Sequence, residues 1–173
     1  MGAARVRRGR RSDARKFLDL VQALAEFEHL APPNSEGRKR IVSDIFDKKR
    51  LHLFVALEEK EPVGYALYFF SYSSFLARPT LYLEDLFVLE GHRKKGLGSG
   101  LFARCADEAV KQGCGRMEWS VLDWNRKAVQ FYERLGAKRL EEWHYYRLTK
   151  DQLESLTQTT RKSGGTGFPD HKP

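Results

Sequence analysis

Residues 81–100 read L-Y-L-E-D-L-F-V-L-E-G-H-R-K-K-G-L-G-S-G, and this stretch decides the architecture. Thr80 to Leu89 is an apolar, aromatic-bearing run that follows the turn residues Arg78-Pro79, which predicts a β-strand. From Leu101 onward, Leu101, Phe102, Cys105, Ala106, Ala109 and Val110 recur at helical spacing up to Gly113. Between them lies a short basic loop rich in glycine. A strand, a loop and a helix in that order gather backbone N–H groups at a helix N-terminus, which suits an anionic diphosphate. Glycine matters there because a Cβ would keep phosphate oxygens away from the backbone.

Working outward, Ala3 to Arg10 alternates weakly and predicts a first strand. Ser12 or Asp13 caps a helix whose apolar face is Phe17, Leu20, Val21, Leu24 and Phe27, and Ala31-Pro32-Pro33-Asn34 ends it. A second helix carries Ile41, Val42, Ile45 and Phe46. Leu51 to Leu57 and Val63 to Tyr72, joined by a charged turn, predict a β-hairpin. After the glycine loop and its helix, Met117 to Leu122 reads as a strand. Asn125 caps a helix through Ala128, Phe131, Tyr132 and Leu135, which Gly136 closes. Glu142 to Leu148 reads as a final strand, and Thr149 with Gln152 forms a capping box for a last short helix. The order predicts an α/β (α+β) sheet with helices on both faces. One domain is expected over residues 1–156, with a disordered tail over 157–173.

With 173 residues, 41% of them hydrophobic and 12% aromatic, the chain can bury a core, which excludes bulk disorder. A formal charge of +8 suits polyanionic partners, and plain solubility explains it equally well. The arginines between Arg5 and Arg15 do not interleave with aromatics, so a nucleic-acid-binding or scaffolding module is the weaker reading. Cys105 and Cys114 have no CxxC spacing and no nearby ligand cluster, which points to reduced thiols and no bound metal. No apolar run reaches membrane-spanning length, and no apolar signal region follows the arginine-rich start. The expectation is a cytoplasmic protein without membrane contact.

The element order, the run R-K-K-G-L-G at 93–98, and the later D-W-N, F-Y and L-G-A resemble the GNAT superfamily of acetyl-CoA-dependent N-acetyltransferases. Within it, Y-L-E-D-L-F-V and D-W-N resemble the diamine, polyamine and thialysine acetyltransferase branch. The resemblance covers most of the chain up to Leu148. It implies a central mixed, mostly antiparallel twisted sheet, acetyl-CoA as co-substrate, no metal, and a homodimer. It also implies transfer of an acetyl group to a primary amine of a small molecule by direct attack in a ternary complex. Protein lysine or N-terminal acetylation is the alternative.

The same resemblance distributes roles. Leu86, Phe87 and Val88 match the strand that pairs with the pantetheine arm, a short diamide able to join a sheet edge. Arg93, Lys94, Lys95, Gly96, Leu97, Gly98 and Ser99 match the diphosphate loop, with Lys94 standing where relatives often have glycine. Asn125, Arg126, Lys127 and Ala128 match a second cofactor contact. Tyr132 matches the general acid toward the leaving thiolate. Its phenol is protonated at neutral pH and lies near a thiol in acidity, so the role is chemically sound. Phe27 and Glu28 match an aromatic and acid at the substrate end, and Glu84 matches a substrate contact. Read from the residues alone, Glu84 and Asp85 could bind an ammonium or deprotonate it directly or through water, with Glu84 the expected catalytic residue, or stand as a surface carboxylate pair.

Overall fold

The computed structural model describes residues 5–162. The chain divides into two units, Met1–Leu122 and Asp123–Pro173. The first unit holds a five-stranded sheet in the order β1-β2-β3-β4-β5. Its strands are β1 (Arg5–Arg8), β2 (His52–Glu58), β3 (Glu61–Ser73), β4 (Arg78–Val88) and β5 (Arg116–Glu118). All neighbours are antiparallel except β4 and β5, which run parallel through the crossover helix α3 (Leu97–Lys111). This is the open mixed sheet, mostly antiparallel, that the family resemblance implies.

Helix α1 (Ala14–Phe27) and helix α2 (Ser35–Phe46) cover one face. Phe17, Leu20 and Ile45 pack there on Leu53, Val55, Leu57, Tyr65, Leu67 and Phe87. Helix α3 covers the other face. Leu97, Leu101, Cys105 and Ala109 recur every four residues, so one stripe meets Phe54, Ala56, Ala66, Tyr68, Leu81 and Leu83. Because both faces are covered, β2 reads as a continuous apolar run rather than an alternating one. Each fully buried leucine or phenylalanine contributes about 1.5–3 kcal/mol. Burial in this stripe raises the pKa of the Cys105 thiol to about 12.

Local chemistry sets several boundaries. Asn34 caps α2 by accepting from the Gly37 N–H at 2.9 Å. Asp13 is used differently from a simple cap of α1. It takes two bonds from the Arg7 guanidinium, at 2.7 and 2.9 Å, and one from the Arg10 N–H, which ties β1 to the start of α1.

The second unit contains helices α4 (Arg126–Arg134) and α5 (Lys150–Lys162). The expected strand at Glu142–Leu148 is absent from the described residues, because that unit offers no second strand to pair with it. The expected strand at Met117–Leu122 is shorter, ending at Glu118 where its pairing with β4 stops. Helix α5 runs past Thr157, whose hydroxyl donates to the Glu154 carbonyl at 2.8 Å. A capped helix propagates through residues of modest propensity, so low apolar content alone does not end it. The rest of the expected tail, 163–173, lies outside the described residues, as do residues 1–4.

Candidate active site

Strand β4 is irregular where the acids sit. Leu83 is the cross-strand partner of Tyr68, and Asp85 that of Leu67, so Glu84 has no partner on β3 and forms a β-bulge. The extra residue reverses the alternation of side chains. Leu81 and Leu83 face α3, whereas Phe87 faces α1 and α2. On the opposite edge, β5 pairs only with Thr80–Tyr82. Among the described residues of the first unit, Leu83–Val88 therefore presents an edge with no sheet neighbour beyond β3. Leu86, Phe87 and Val88 lie on that edge, where an extended diamide can add as a strand.

Beyond β4, the chain makes a short turn at Glu90–His92 and enters α3 earlier than its apolar pattern suggests. Gly98, Ser99 and Gly100 form the first turn of the helix rather than the loop, because glycine and serine there leave no apolar mark. Gly96 precedes the helix at φ 78°, a conformation glycine adopts without strain. The first bond into the helix is Gly100 N–H to the Gly96 carbonyl at 2.8 Å, so the N–H groups of Leu97, Gly98 and Ser99 precede the intrahelical ladder. Nothing lies within 4 Å of where a Cβ on Gly96 or Gly98 would stand. A diphosphate fits this cradle of N–H groups. Lys94 also sits in the left-handed region, at φ 63°, a conformation that glycine adopts without strain.

The basic side chains of the loop have protein partners. Arg93 Nε donates to the Val88 carbonyl at 2.8 Å, and its guanidinium lies over Phe27 (5.1 Å) and Phe87 (5.6 Å). Arg93 thus braces the loop against the end of β4 and the end of α1. Lys95 donates to Glu58 Oε1 at 2.6 Å, and His92 Nδ1 meets Glu58 Oε2.

At the bulge, the two neighbouring acids have different surroundings. Glu84 is exposed. Asp85 is partly buried and accepts a hydrogen bond from the Tyr65 hydroxyl at 3.1 Å. Burial, with the nearby charges of Glu84 and Glu28, raises the pKa of the Asp85 carboxyl to about 7, against the opposing pull of the Tyr65 hydrogen bond. Tyr65 is fully buried and its phenol is held well above its usual range by burial and by Asp85. Burial also pushes the Glu28 carboxyl up. Phe27 stands beside Phe87, ring centroids 6.5 Å apart. The first unit therefore brings Phe27, Glu28, Glu84, Leu86, Phe87, Val88 and Arg93 to one end of β4.

The remaining predicted residues outside the glycine loop, Asn125–Ala128 and Tyr132, belong to the second unit. Asn125 caps α4, accepting from the Ala128 N–H at 3.3 Å, so Arg126, Lys127 and Ala128 form its first turn. Tyr132 lies on α4 beside Phe131, ring centroids 5.2 Å apart, and its carbonyl accepts from Leu135 and Ala137.

Sequence reasoning left Asp85 open between a substrate acid and a surface carboxylate, and passed over Tyr65 and Glu58 as site residues. The doubled acid at 84–85 is a visible signal, but which acid turns inward depends on the bulge. A buried tyrosine seeks a hydroxyl partner, which is the signal that Tyr65 carries. No group of three or more His, Cys, Asp or Glu able to hold a metal occurs among the described residues. No helix among them is long and apolar enough to cross a membrane.

Against known proteins, a model of the acetyltransferase (GNAT) family matches residues 17–137. The thialysine N-epsilon-acetyltransferase of Mus musculus is 33% identical over 168 residues, covering 90% of this chain and 98% of that protein. The L-ornithine N5-acetyltransferase of Arabidopsis thaliana is 47% identical over 93 residues, 54% of this chain. That match spans 41% of the ornithine enzyme's length. Among solved structures, an integron cassette protein from V. cholerae superposes with a TM-score of 0.75 at 20% identity, over 91% of this chain and 99% of that one.

Proposed function

The chain belongs to the GNAT family of N-acetyltransferases, and from this premise we propose that it carries an acetyl group from acetyl-CoA to a primary amine of a small molecule. The acceptor is a diamine, a polyamine or a thialysine-like amino acid, attacking directly in a ternary complex. One observation carries the substrate class: Glu28 ends α1 next to Phe27, whose ring lies 6.5 Å from that of Phe87, so it joins Glu84 and Asp85 at one end of β4. A molecule with two positive charges needs more than one acid to receive it, and these three supply them. The names of the thialysine and ornithine relatives support the same class.

Acetyl-CoA, when bound, supplies the thioester whose C–S bond breaks as the new C–N bond forms. The chain's residues hold, orient and move protons. The open edge of β4 at Leu86–Val88 receives the pantetheine amides, and a backbone N–H near Val88 is assigned to the oxyanion. The N–H groups at the start of α3, with Lys94, receive the diphosphate. Holding both reactants together removes most of the entropic cost of the encounter before bond formation. By family resemblance, Asn125–Ala128 adds a second coenzyme contact and Tyr132 gives the proton that the departing thiolate takes. The resemblance also supports a cytoplasmic homodimer, whose mass sedimentation would read.

The test is thiol release from acetyl-CoA over a panel of 1,4-diaminobutane, spermidine, thialysine, ornithine and a lysine peptide, with products weighed by mass spectrometry. Turnover on the small amines at least about tenfold above the peptide is expected, matching a pocket built on paired charges. Preference for the peptide would overturn the small-molecule reading in favour of protein acetylation.

A further inference from the structure

We propose that Asp85 and Tyr65 form the proton-accepting pair of this reaction, with Asp85 taking the substrate's ammonium proton and Tyr65 positioning the carboxylate that receives it. The inference rests on the acetyl-transfer reading and deepens it. An ammonium has no lone pair, so it must lose a proton before nitrogen can attack a thioester. Of the two acids at the bulge, Glu84 is exposed, while Asp85 is turned onto the α1 side of the sheet beside a fixed phenol.

The fixing is visible in the packing. Tyr65 is fully buried, edge-on to Phe17 with centroids 5.1 Å apart and tilted against Phe87 at 6.4 Å. Its ring cannot turn without repacking both neighbours, so its hydroxyl aims steadily at Asp85 Oδ2. The titratable groups that act on Asp85 come from three places. Tyr65 comes from β3, Glu84 from β4 and Glu28 from the end of α1, while the cation Arg93 lies on the rings of Phe27 and Phe87. Burial first, and then the two neighbouring acids, resist ionisation of Asp85, and the phenol hydrogen bond favours it. The result is a carboxyl titrating near neutrality, where a general base works best.

The step balances. One N–H bond of the ammonium breaks, its electron pair stays on nitrogen, and the proton passes to the Asp85 carboxylate. Tyr65 keeps its own proton throughout. Solvent later removes the proton from Asp85 and resets the pair.

The experiment measures kcat/KM for the best amine against pH in the wild type, Asp85→Asn, Tyr65→Phe and Glu84→Gln. It follows the Asp85 carboxyl by carbon NMR in the ligand-free wild type and Tyr65→Phe. The wild-type profile should rise to a plateau with a midpoint at about 7. Tyr65→Phe should move both midpoints upward by about one unit, since it removes a hydrogen bond to the charged form. Asp85→Asn should abolish the limb and lower the plateau at least about a hundredfold, while Glu84→Gln keeps the limb. A limb that persists in Asp85→Asn, or an NMR midpoint unmoved in Tyr65→Phe, overturns the pair. An active wild type with those results leaves acetyl transfer standing. A wild type inert on every amine sinks the acetyl-transfer reading itself.

Discussion

Glu58 Oε1 accepts a hydrogen bond from the Lys95 ammonium at 2.6 Å, across 37 positions of sequence. Its other oxygen meets His92, so one carboxylate at the end of β2 holds two residues of the turn leading into α3. The Glu58 carboxyl is correspondingly held below its usual pKa, first by Lys95 and then by His92. This contact orders the loop before any coenzyme arrives. Glu58→Ala should raise the KM for acetyl-CoA by about three- to tenfold, the usual cost of ordering side chains on binding. The amine KM and kcat should stay within about twofold, since the chemistry is untouched. Steady-state kinetics with each substrate varied in turn checks this, and a fall in kcat alone would refute it.

Lys94 carries a Cβ in a left-handed conformation, at φ 63°. That costs about 1–2 kcal/mol, while glycine adds about 0.4–1 kcal/mol of unfolded-state entropy. Lys94→Gly should therefore raise the unfolding free energy by a net of about 0.5–1 kcal/mol, read as a modest rise in the urea midpoint. Lys94→Ala keeps the Cβ and should leave the midpoint where it is. Equal midpoints for glycine and lysine would remove strain from the account of this loop.

Tyr132→Phe removes only a hydroxyl from α4. If the hydroxyl protonates the departing thiolate, kcat should fall at least about a hundredfold, with acetyl-CoA affinity within about threefold. Rapid-quench and equilibrium binding measurements separate the two quantities. Unchanged turnover would leave Tyr132 a packing residue beside Phe131.

The Asp85 carboxyl also makes stability depend on pH. Its pKa is about 7 in the folded chain against 3.8 as the ordinary value. Between these values the folded state keeps a proton that the unfolded state sheds, so stability falls as pH rises from about 4 to about 7 and is flat above. Asp85→Asn should raise the melting temperature at pH 8 and raise it by less than half as much at pH 5. The gain at pH 8 is on the order of a few kcal/mol. Calorimetry at the two pH values tests the sign, and an equal effect at both would contradict it.

The sequence announces the sheet and its first three helices because their apolar residues recur at clean periods. Phe17, Leu20, Val21 and Leu24 mark α1, and Leu101, Cys105 and Ala109 mark α3. The glycine loop is legible for the same local reason, since Gly96 and Gly98 stand where backbone must lie bare. The start of α3 is not, because Gly98, Ser99 and Gly100 are poor helix formers held in place by tertiary packing. The segment at 142–148 has the composition of a strand, but composition does not supply a partner strand. The partners of Arg93, Lys95 and Asp85 are set by contacts from α1, β2 and β3, which no local window contains.

The unmatched residue at position 84 makes β4 a counted object as well as a patterned one. Removing Glu84 alone would leave Leu83 opposite Tyr68 and Asp85 opposite Leu67 in a regular ladder with both faces kept, whereas a further residue added there and paired in the ladder would turn Asp85 and Phe87 toward α3, put a carboxylate against its leucines, and turn Leu86 and Val88 toward α1. Exchange of one side chain for another can tune this strand, but an added residue that enters the ladder exchanges its two surfaces. Descendants of this chain can therefore vary the acids themselves far more readily than the spacing that aims them.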